Sequence, residues 1–485
     1  STDNPRNVRL WDERDIPLLA AMTDAVHAHG SLAGLMLAHN GFVTPNTIGR
    51  EMPLAPSGIP SFGNFPGFAR ALDKADIKTL RQVHRTAALN ARKAGFDIIN
   101  VYAGHNLALP MHFLARRYNQ RTDEYGGSLE NRARFLRELI EVTRDAVGDT
   151  CAVGVRFSVD EMMGPAGITS EEEGRDVVAM LAELPDIWDV NVSSWAWDSI
   201  TSRFGEEGSQ EDKVAFVKQV TTKPVVGVGR FTSPDTMASQ IRRGILDIIG
   251  AARPTIADPF LPKKIEEGRP EDIRECIGCN VCTTNNYLMA PIRCTQNPTM
   301  GEEWRRGWHP ETIDKADTDD RILIVGGGPA GLEAARALGQ RGYPVMLAEA
   351  RDELGGRVSR EARLPGLAAW ARVRDWRLGQ IAKMPNVELY PGSAMTVDDI
   401  RAADCTLVGL ATGATWRRDG VGRHHRAPVP GCEAAHVYTP DDVMDGAAVT
   451  GPVVIWDDDH FYMAGVMAEA LAKAGNQVTI VTPQA

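Results

Sequence analysis

Two patterns predict an α/β fold for this chain. Short, nearly continuous apolar strands alternate with helices over residues 32–253, and a strand, a glycine turn and a helix open a new unit at Arg321. No Gly-rich dinucleotide turn occurs in the first stretch, which favours a TIM (β/α)8 barrel there over an open doubly wound sheet. The second pattern predicts Rossmann-like nucleotide-binding domains behind it.

Taken in order, the barrel strands read 32–37, 97–103, 151–157, 188–194, 224–230 and 247–253. Runs this apolar belong to a parallel sheet covered on both faces. Helical periodicity places a helix over 80–94 and another over 129–147. A complete barrel needs eight βα units. The first two are missing from these residues and are expected upstream, so both ends of the given chain read as cut. The expected organisation is a barrel over 1–265, an irregular segment rich in Pro, Asn and Arg over 266–315, a Rossmann domain over 316–445 and the start of a second one over 446–485.

The bulk composition is that of an ordinary enzyme, with 43% hydrophobic and 24% charged residues among 485. That length predicts about three domains. A net charge of −11 argues against nucleic-acid binding. No apolar run is long enough to cross a bilayer and no signal peptide opens the chain, so no membrane association is expected. Seven cysteines, odd in number and mostly clustered, argue against a disulfide framework and for a reducing, cytoplasmic setting.

Four of those cysteines fall within nineteen positions: Cys276, Cys279, Cys282 and Cys294. Three thiols spaced i, i+3, i+6 wrap one face of a compact metal core, and a fourth from a loop closes the cage, as in a [4Fe–4S] cluster. Zinc is the competing reading, but its ribbons use two separate CxxC knuckles. The cluster reading implies electrons moved singly.

At 322–325 a strand leads into Gly326, Gly328, Ala330 and Gly331, then a helix over 332–340 and a strand over 345–348 that ends at Glu349. This is GxGxxG in its strand–turn–helix context, with an acid on the ribose side. It predicts an ADP (or FAD) moiety whose pyrophosphate rests on the helix N-terminus. Gly355, Gly356 and Arg357 extend the site. A second unit starts with a strand at 453–456, a helix over 464–474 and a strand over 478–481. Its phosphate turn carries Asp457, Asp458 and Asp459 with bulky neighbours, which would repel a pyrophosphate. Nicotinamide binding is therefore expected to be lost there, with an unusual nucleotide mode as the competing reading.

Several strings make the chain resemble the trimethylamine dehydrogenase family of iron–sulfur flavoproteins, with its histamine dehydrogenase and N-methyl amino-acid demethylase members. They are YNQRTDEYGGSLENR (118–132), KPVVGVGR (223–230), IIGAARPTIADPF (248–260), ECIGCNVC (275–282), RCTQNP (293–298) and GEEWRRGWHP (301–310). The resemblance covers essentially the whole chain. It implies an FMN-containing barrel, a [4Fe–4S] segment and ADP in the first nucleotide domain. It also implies an electron-transfer flavoprotein as acceptor and a homodimer.

Active sites of parallel barrels lie at the C-terminal ends of strands. Tyr102 and His105 sit at the end of one predicted strand, Arg156 at the end of the next, and Asp198 follows a third. The resemblance assigns Tyr102, His105 and Asp198 to catalysis and Arg156 to the flavin pyrimidine. Gly227, Gly229, Arg230 and Arg253 fall at the last two strand ends and are expected at the flavin, Arg253 at its phosphate. Trp195 matches one wall of the family's aromatic substrate bowl. Another wall is Asn286 rather than Trp, and Met36 stands where many relatives hydrogen-bond the flavin. The implied reaction is oxidation of the C–H next to nitrogen in an N-methylated amine or amino acid, or in a histamine-like amine. The alternative is an NADPH-dependent reductase like 2,4-dienoyl-CoA reductase, which the acidic second turn argues against.

Overall fold

The computed structural model describes residues 9–43, 51–61, 67–287 and 290–483, without the side chains of 285–287. The chain divides into two compact units: Ser1–Ile200 with Glu206–Ala251, and Thr201–Gly205 with Ala252–Ala485.

In the first unit the strands are β1 (Gly34–Leu37), β2 (Leu54–Ala55), β3 (Ile59–Pro60), β4 (Phe68–Ala71), β5 (Ile98–Ala103), β6 (Ala152–Asp160), β7 (Ile187–Val192), β8 (Val225–Gly227) and β9 (Ile248–Ile249). Strands β2, β3 and β4 form a small separate sheet. The other six form one parallel sheet in the order β1-β5-β6-β7-β8-β9. An order that follows the sequence is that of a barrel wall; a doubly wound sheet reverses direction partway. Its core holds Ile99, Val101, Val155, Phe157, Trp188 and Val190, each fully buried. Helix Leu129–Val147 matches its expected span and buries Phe135, Leu136 and Ile140. Helix Lys74–Lys93 starts earlier than its apolar period, because Asp73 and Asp76 close a capping box at its polar first turn. Helix Ile16–His27 was not anticipated.

Three expectations change. β6 continues past Phe157 to Asp160, with a register shift near its end. Its polar tail is tolerated because the Asp160 carboxylate accepts bonds from the Met162 and Ser170 N–H groups and the Ser170 hydroxyl. Arg156 therefore lies inside a strand rather than at its end. β8 and β9 are much shorter than expected, so Gly229, Arg230 and Arg253 fall in the segments that follow. The cysteine-bearing region is not irregular throughout: short helices occupy Ala252–Ala257, Leu261–Glu266, Val281–Tyr287 and Glu303–Arg306. One or two turns are too short to show a period.

In the second unit β10 (Ile322–Val325), β11 (Val345–Ala348), β12 (Val387–Tyr390) and β13 (Leu407–Leu410) form a parallel sheet in the order β12-β11-β10-β13. That is the 3-2-1-4 order of a mononucleotide-binding half. Helix Pro329–Arg341 packs Leu332 and Ala335 against Ile322, Ile324 and Leu347. A separate parallel pair, β14 (Val453–Trp456) and β15 (Val478–Val481), is bridged by helix Met463–Lys473. Among the described residues no helix is long and apolar enough to cross a membrane.

Close packing of helix on strand at the glycine turn sets a stability test. A Cβ at Gly331 would stand 1.9 Å from the Gly326 carbonyl oxygen, a clash that only backbone movement relieves. Gly331→Ala is expected to destabilise the second unit by about 2–3 kcal/mol, read as a lowered thermal unfolding midpoint. An unchanged midpoint contradicts this packing.

Candidate active site and cofactor sites

Register across the barrel sheet lines up polar side chains among apolar ones. Tyr102 of β5 pairs with Arg156 of β6, Arg156 with Asp189 of β7, and Ser158 with Asn191. Past β5 the chain turns through His105 and Asn106, both left-handed with φ 55°. For non-glycine residues this costs about 1–3 kcal/mol each and needs support from the surroundings. Ser158 supplies it: its Oγ accepts the His105 N–H at 2.7 Å and donates to Asn191 Oδ1 at 2.7 Å. Gly104 leaves the room, since a Cβ there would stand 2.9 Å from the Tyr102 ring.

The imidazole is thereby aimed among three partners, one of them Asn191 Nδ2, 3.1 Å from Nε2. Tyr102 Oη is 2.5 Å from Nδ1, and Asp198 Oδ2 is 2.7 Å from Nε2. A carboxylate only accepts, which assigns the ring proton to Nε2 and makes Tyr102 the donor to Nδ1. Asp198 ends the short helix Trp195–Asp198. Its Oδ1 accepts from Gln210 at 2.7 Å, and Arg156 Nη2 lies 3.8 Å from Oδ2. Arg156 Nη1 also donates to Asp189 Oδ2 at 3.1 Å, so one guanidinium stands between two carboxylates. The Trp195 ring lies 5.6 Å from the imidazole.

These surroundings set the charges. Burial alone would raise Asp198, but the bonds from His105 and Gln210 and the charge of Arg156 hold it below the ordinary 3.8. Burial pushes Asp189 above its ordinary value; Arg156 offsets only part of this, and Asp198 adds to it. Burial also pushes the Tyr102 phenol well above its ordinary value, so it stays protonated. Arg156 Nε and Asp189 Oδ1 are buried without a hydrogen-bond partner. Buried polar atoms of this kind are rarely left unmatched, and the pyrimidine edge of a flavin is a fitting partner for the guanidinium.

The other residues expected at the flavin are placed less distinctively. Gly227 has a packing reason, because a Cβ would stand 2.5 Å from the Leu246 side chain. Gly229 sits close against Phe231 and Gly208. Arg230 is left-handed, with φ 57°. Arg253 belongs to the second unit, where it donates to Asn280 Oδ1 at 2.6 Å. The Asn286 side chain lies outside the described residues, and Met36 is exposed on β1.

All seven cysteines are free thiols. Cys276 Sγ accepts from the Gly278 N–H at 3.4 Å and Cys294 Sγ from the Gln296 N–H at 3.3 Å. Cys279 Sγ is 3.3 Å from the Thr295 hydroxyl. Burial pushes the Cys276 thiol up to about 11 and raises that of Cys294, so thiolates here need a cation beside them. Backbone N–H groups aimed at buried sulfurs suit cluster ligands. Among the described residues, no three His, Cys, Asp or Glu converge on a single-ion site. A cubane takes one thiolate per iron and does not require that convergence.

At the glycine turn, Gly326 has φ +109° and Gly327 donates its N–H to Glu349 Oε2 at 2.6 Å. Gly328 caps helix Pro329–Arg341 without a side-chain hydrogen bond, and a Cβ there would meet nothing within 4 Å. The helix N-terminus is thus uncapped and faces open space, as a pyrophosphate site requires. Arg357 turns instead toward Ala414, whose carbonyl it bonds, and toward Asp441 at 3.6 Å. In the second unit's acidic turn, Asp458 accepts the N–H groups of His424 and His425 at 2.8 Å.

Residues 1–272 match the NADH:flavin oxidoreductase / NADH oxidase family, and residues 324–376 match an NAD(P)-binding Rossmann-like domain. The chain is 44% identical to dimethylamine dehydrogenase of Hyphomicrobium sp. (strain x) over 492 residues, which is 98% of this chain and 67% of that protein. Two solved structures are each 54% identical. The 6-hydroxypseudooxynicotine amine oxidase of Pseudomonas geniculata N1 gives a TM-score of 0.97, covering 99% of this chain and 73% of that one. Histamine dehydrogenase of Rhizobium sp. 4-9 gives 0.94, covering 98% and 70%. The chain therefore belongs to the FMN-dependent NADH:flavin oxidoreductase / NADH oxidase family, on its trimethylamine and histamine dehydrogenase branch.

The motif reading did not single out Asp189, Ser158, Asn191 or Gln210. A signal existed for three of them: β6 and β7 put Arg156, Ser158, Asp189 and Asn191 at alternate positions in otherwise apolar strands, which marks one face as polar. Gln210 carries none.

The lowered Asp198 gives a signed prediction. Its folded value lies below its unfolded one, so the ionised form stabilises the barrel above about 3.8, and that contribution is lost as pH falls through the lower folded value. Asp198→Asn should lower the thermal midpoint at neutral pH and flatten its decline across that acid window. Equal acid sensitivity in the two proteins contradicts the assignment.

Proposed function

We propose that this chain is an amine dehydrogenase that oxidises the C–H next to nitrogen in a small N-methylated or histamine-like amine. The observation that carries the reading is the Tyr102–His105–Asp198 chain, built from β5 and the segment after β7 of an FMN-family barrel. Bound in the barrel, FMN supplies the acceptor for the two electrons that leave this C–H bond. The protein's own task is to hold the amine and manage its proton. A substrate ammonium beside Tyr102 gives a proton to Oη as the phenol proton moves to His105 Nδ1, and the amine becomes neutral and oxidisable. The imidazolium formed is held at Nε2 by Asp198, whose carboxylate stays ionised because of His105, Gln210 and Arg156. Trp195 offers the cation an aromatic face next to this relay. Arg156 takes the flavin pyrimidine, with Asp189 as its counter-ion. Gly227 ends β8, and Gly229 and Arg230 follow it, as residues that would also line the flavin site. The oxidised product is an imine, and water splits it into an aldehyde and an amine.

In the second unit Cys276, Cys279, Cys282 and Cys294 hold a [4Fe–4S] cluster that passes electrons singly to an electron-transfer flavoprotein. The turn at Gly326, Gly328, Ala330 and Gly331, with Glu349, holds ADP. The holoenzyme works as a homodimer. The cluster and ADP assignments are supported by the N–H···S geometry and the uncapped helix.

The test is an anaerobic titration of the holoenzyme, watching flavin absorbance. One arm uses dimethylamine, N-methylated amino acids and histamine; the other uses NADH and NADPH. Bleaching by an amine and not by a nicotinamide is the expected result, and bleaching by a nicotinamide alone overturns the reading. Tyr102→Phe should lower the reduction rate by about 10²-fold or more at unchanged flavin content. Gly328→Ala meets no protein atom, so it should leave the thermal midpoint unchanged while ADP no longer co-purifies. Retained ADP contradicts the site.

A further inference from the structure

A buried cationic cluster in the second unit holds the cysteine segment, and the amine chemistry above makes no use of it. Glu333, one turn into helix Pro329–Arg341, lies 2.6 Å from Arg336 Nη2 and 2.8 Å from Arg377 Nε. Arg274 also acts on its charge. Arg274, Arg336 and Arg377 are 1%, 7% and 3% exposed. All three lie over the Trp376 ring, with Arg274 at 4.3 Å, Arg336 at 5.5 Å and Arg377 at 5.9 Å from its centre. Three guanidiniums thus share Glu333, with Glu311 and Asp258 also acting on Arg274, and Arg274 keeps Nε and Nη1 buried without hydrogen-bond partners. Buried guanidinium N–H groups left without a partner are costly unless an anion stands close by.

Arg377 links this cluster to the cysteines. It donates to Gln296 Oε1 at 3.1 Å and to the Gln296 carbonyl at 3.2 Å. Gln296 donates its backbone N–H to Cys294 Sγ and its amide Nε2 to the Glu275 carbonyl at 3.0 Å, next to Cys276. This one residue therefore ties Cys294, through its backbone, to the segment that carries Cys276, through its side chain. From helix Arg372–Ile381, which also carries Arg377, Arg372 Nη1 donates to the Cys276 carbonyl at 3.2 Å. A [4Fe–4S] cluster with four thiolates is dianionic when oxidised and trianionic after one electron, so it is an anion that the nearby Arg377 would favour.

We infer that Arg377, acting through Gln296, is a positioning residue that raises the reduction potential of a cluster held at Cys276 and Cys294, with Glu333 acting in the opposite sense. The inference rests on reading those cysteines as cluster ligands. A nearby positive charge stabilises the reduced, more anionic state, and a hydrogen bond to sulfur does the same. The arrangement also joins the potential to the helix that starts at the nucleotide turn, since Glu333 and Arg336 lie on it.

The test is EPR-monitored redox titration of the full-chain, iron-loaded protein. Wild-type protein without cluster iron and a reduced-cluster signal overturns both the ligand reading and this inference. With the cluster present, Arg377→Gln should cut the reduced-to-oxidised ratio at the wild-type midpoint about tenfold, equivalent to about 59 mV for one electron. Glu333→Gln should raise the ratio, and Arg377→Lys, which keeps the charge, should stay within about threefold of wild type. A merely structural brace would move both charge-removing variants in the same direction. Shifts of one sign, or no shift in either, overturn the inference while leaving the cluster reading standing. Should Arg377→Gln fail to fold, the sign of the Glu333→Gln shift decides.

Discussion

The carboxylate of Asp198 is the point on which the barrel site is organised. It sits at the end of a four-residue helix after β7, yet it is the partner of a histidine that follows β5 and a near neighbour of an arginine inside β6. Three consecutive strands converge on one charge. The left-handed turn at His105 and Asn106 can be sustained because its imidazole is claimed at both nitrogens and its backbone is claimed by Ser158. If that charge is removed, the ring loses its fixed tautomer, and Arg156 keeps only Asp189 as counter-ion.

The same economy of charge appears on the flavin side. Arg156 has two carboxylate neighbours: the partners of Asp198 hold it below the ordinary value, while burial pushes Asp189 above it. A guanidinium so placed keeps much of its positive character for a ligand, which is the property needed where negative charge develops during reduction. The second unit repeats the principle. There three buried arginines share Glu333, Arg274 keeps two N–H groups unmatched, and Arg377 reaches towards Cys294 through Gln296. In both units a buried guanidinium is left with unmatched N–H groups.

Much of this was legible in the residues because it is local. The strands of a twice-covered sheet are apolar runs, and the glycine turn with Glu349 is written in consecutive positions. Cys276, Cys279 and Cys282 state their spacing outright. What escaped was set by tertiary partners. The tail of β6 is polar, and its length depends on a loop that satisfies Asp160. The strands β8 and β9 are short because the apolar run continues into a loop and a helix. The short helices of the cysteine region have no period to read. Asp189 and Asn191 gain meaning only from their register against β6, and Glu333 meets Arg274 and Arg377 only once the chain is folded.

The central claim is that Asp198 governs the proton of the substrate amine through His105. Single-turnover flavin reduction by a saturating amine, followed in a rapid-mixing spectrophotometer across pH, tests it most directly when wild-type and Asp198→Asn holoenzymes of equal flavin content are compared. A fall of about 10²-fold or more in the reduction rate, with a changed pH profile, is the predicted result. Equal rates with superimposable profiles would contradict the account.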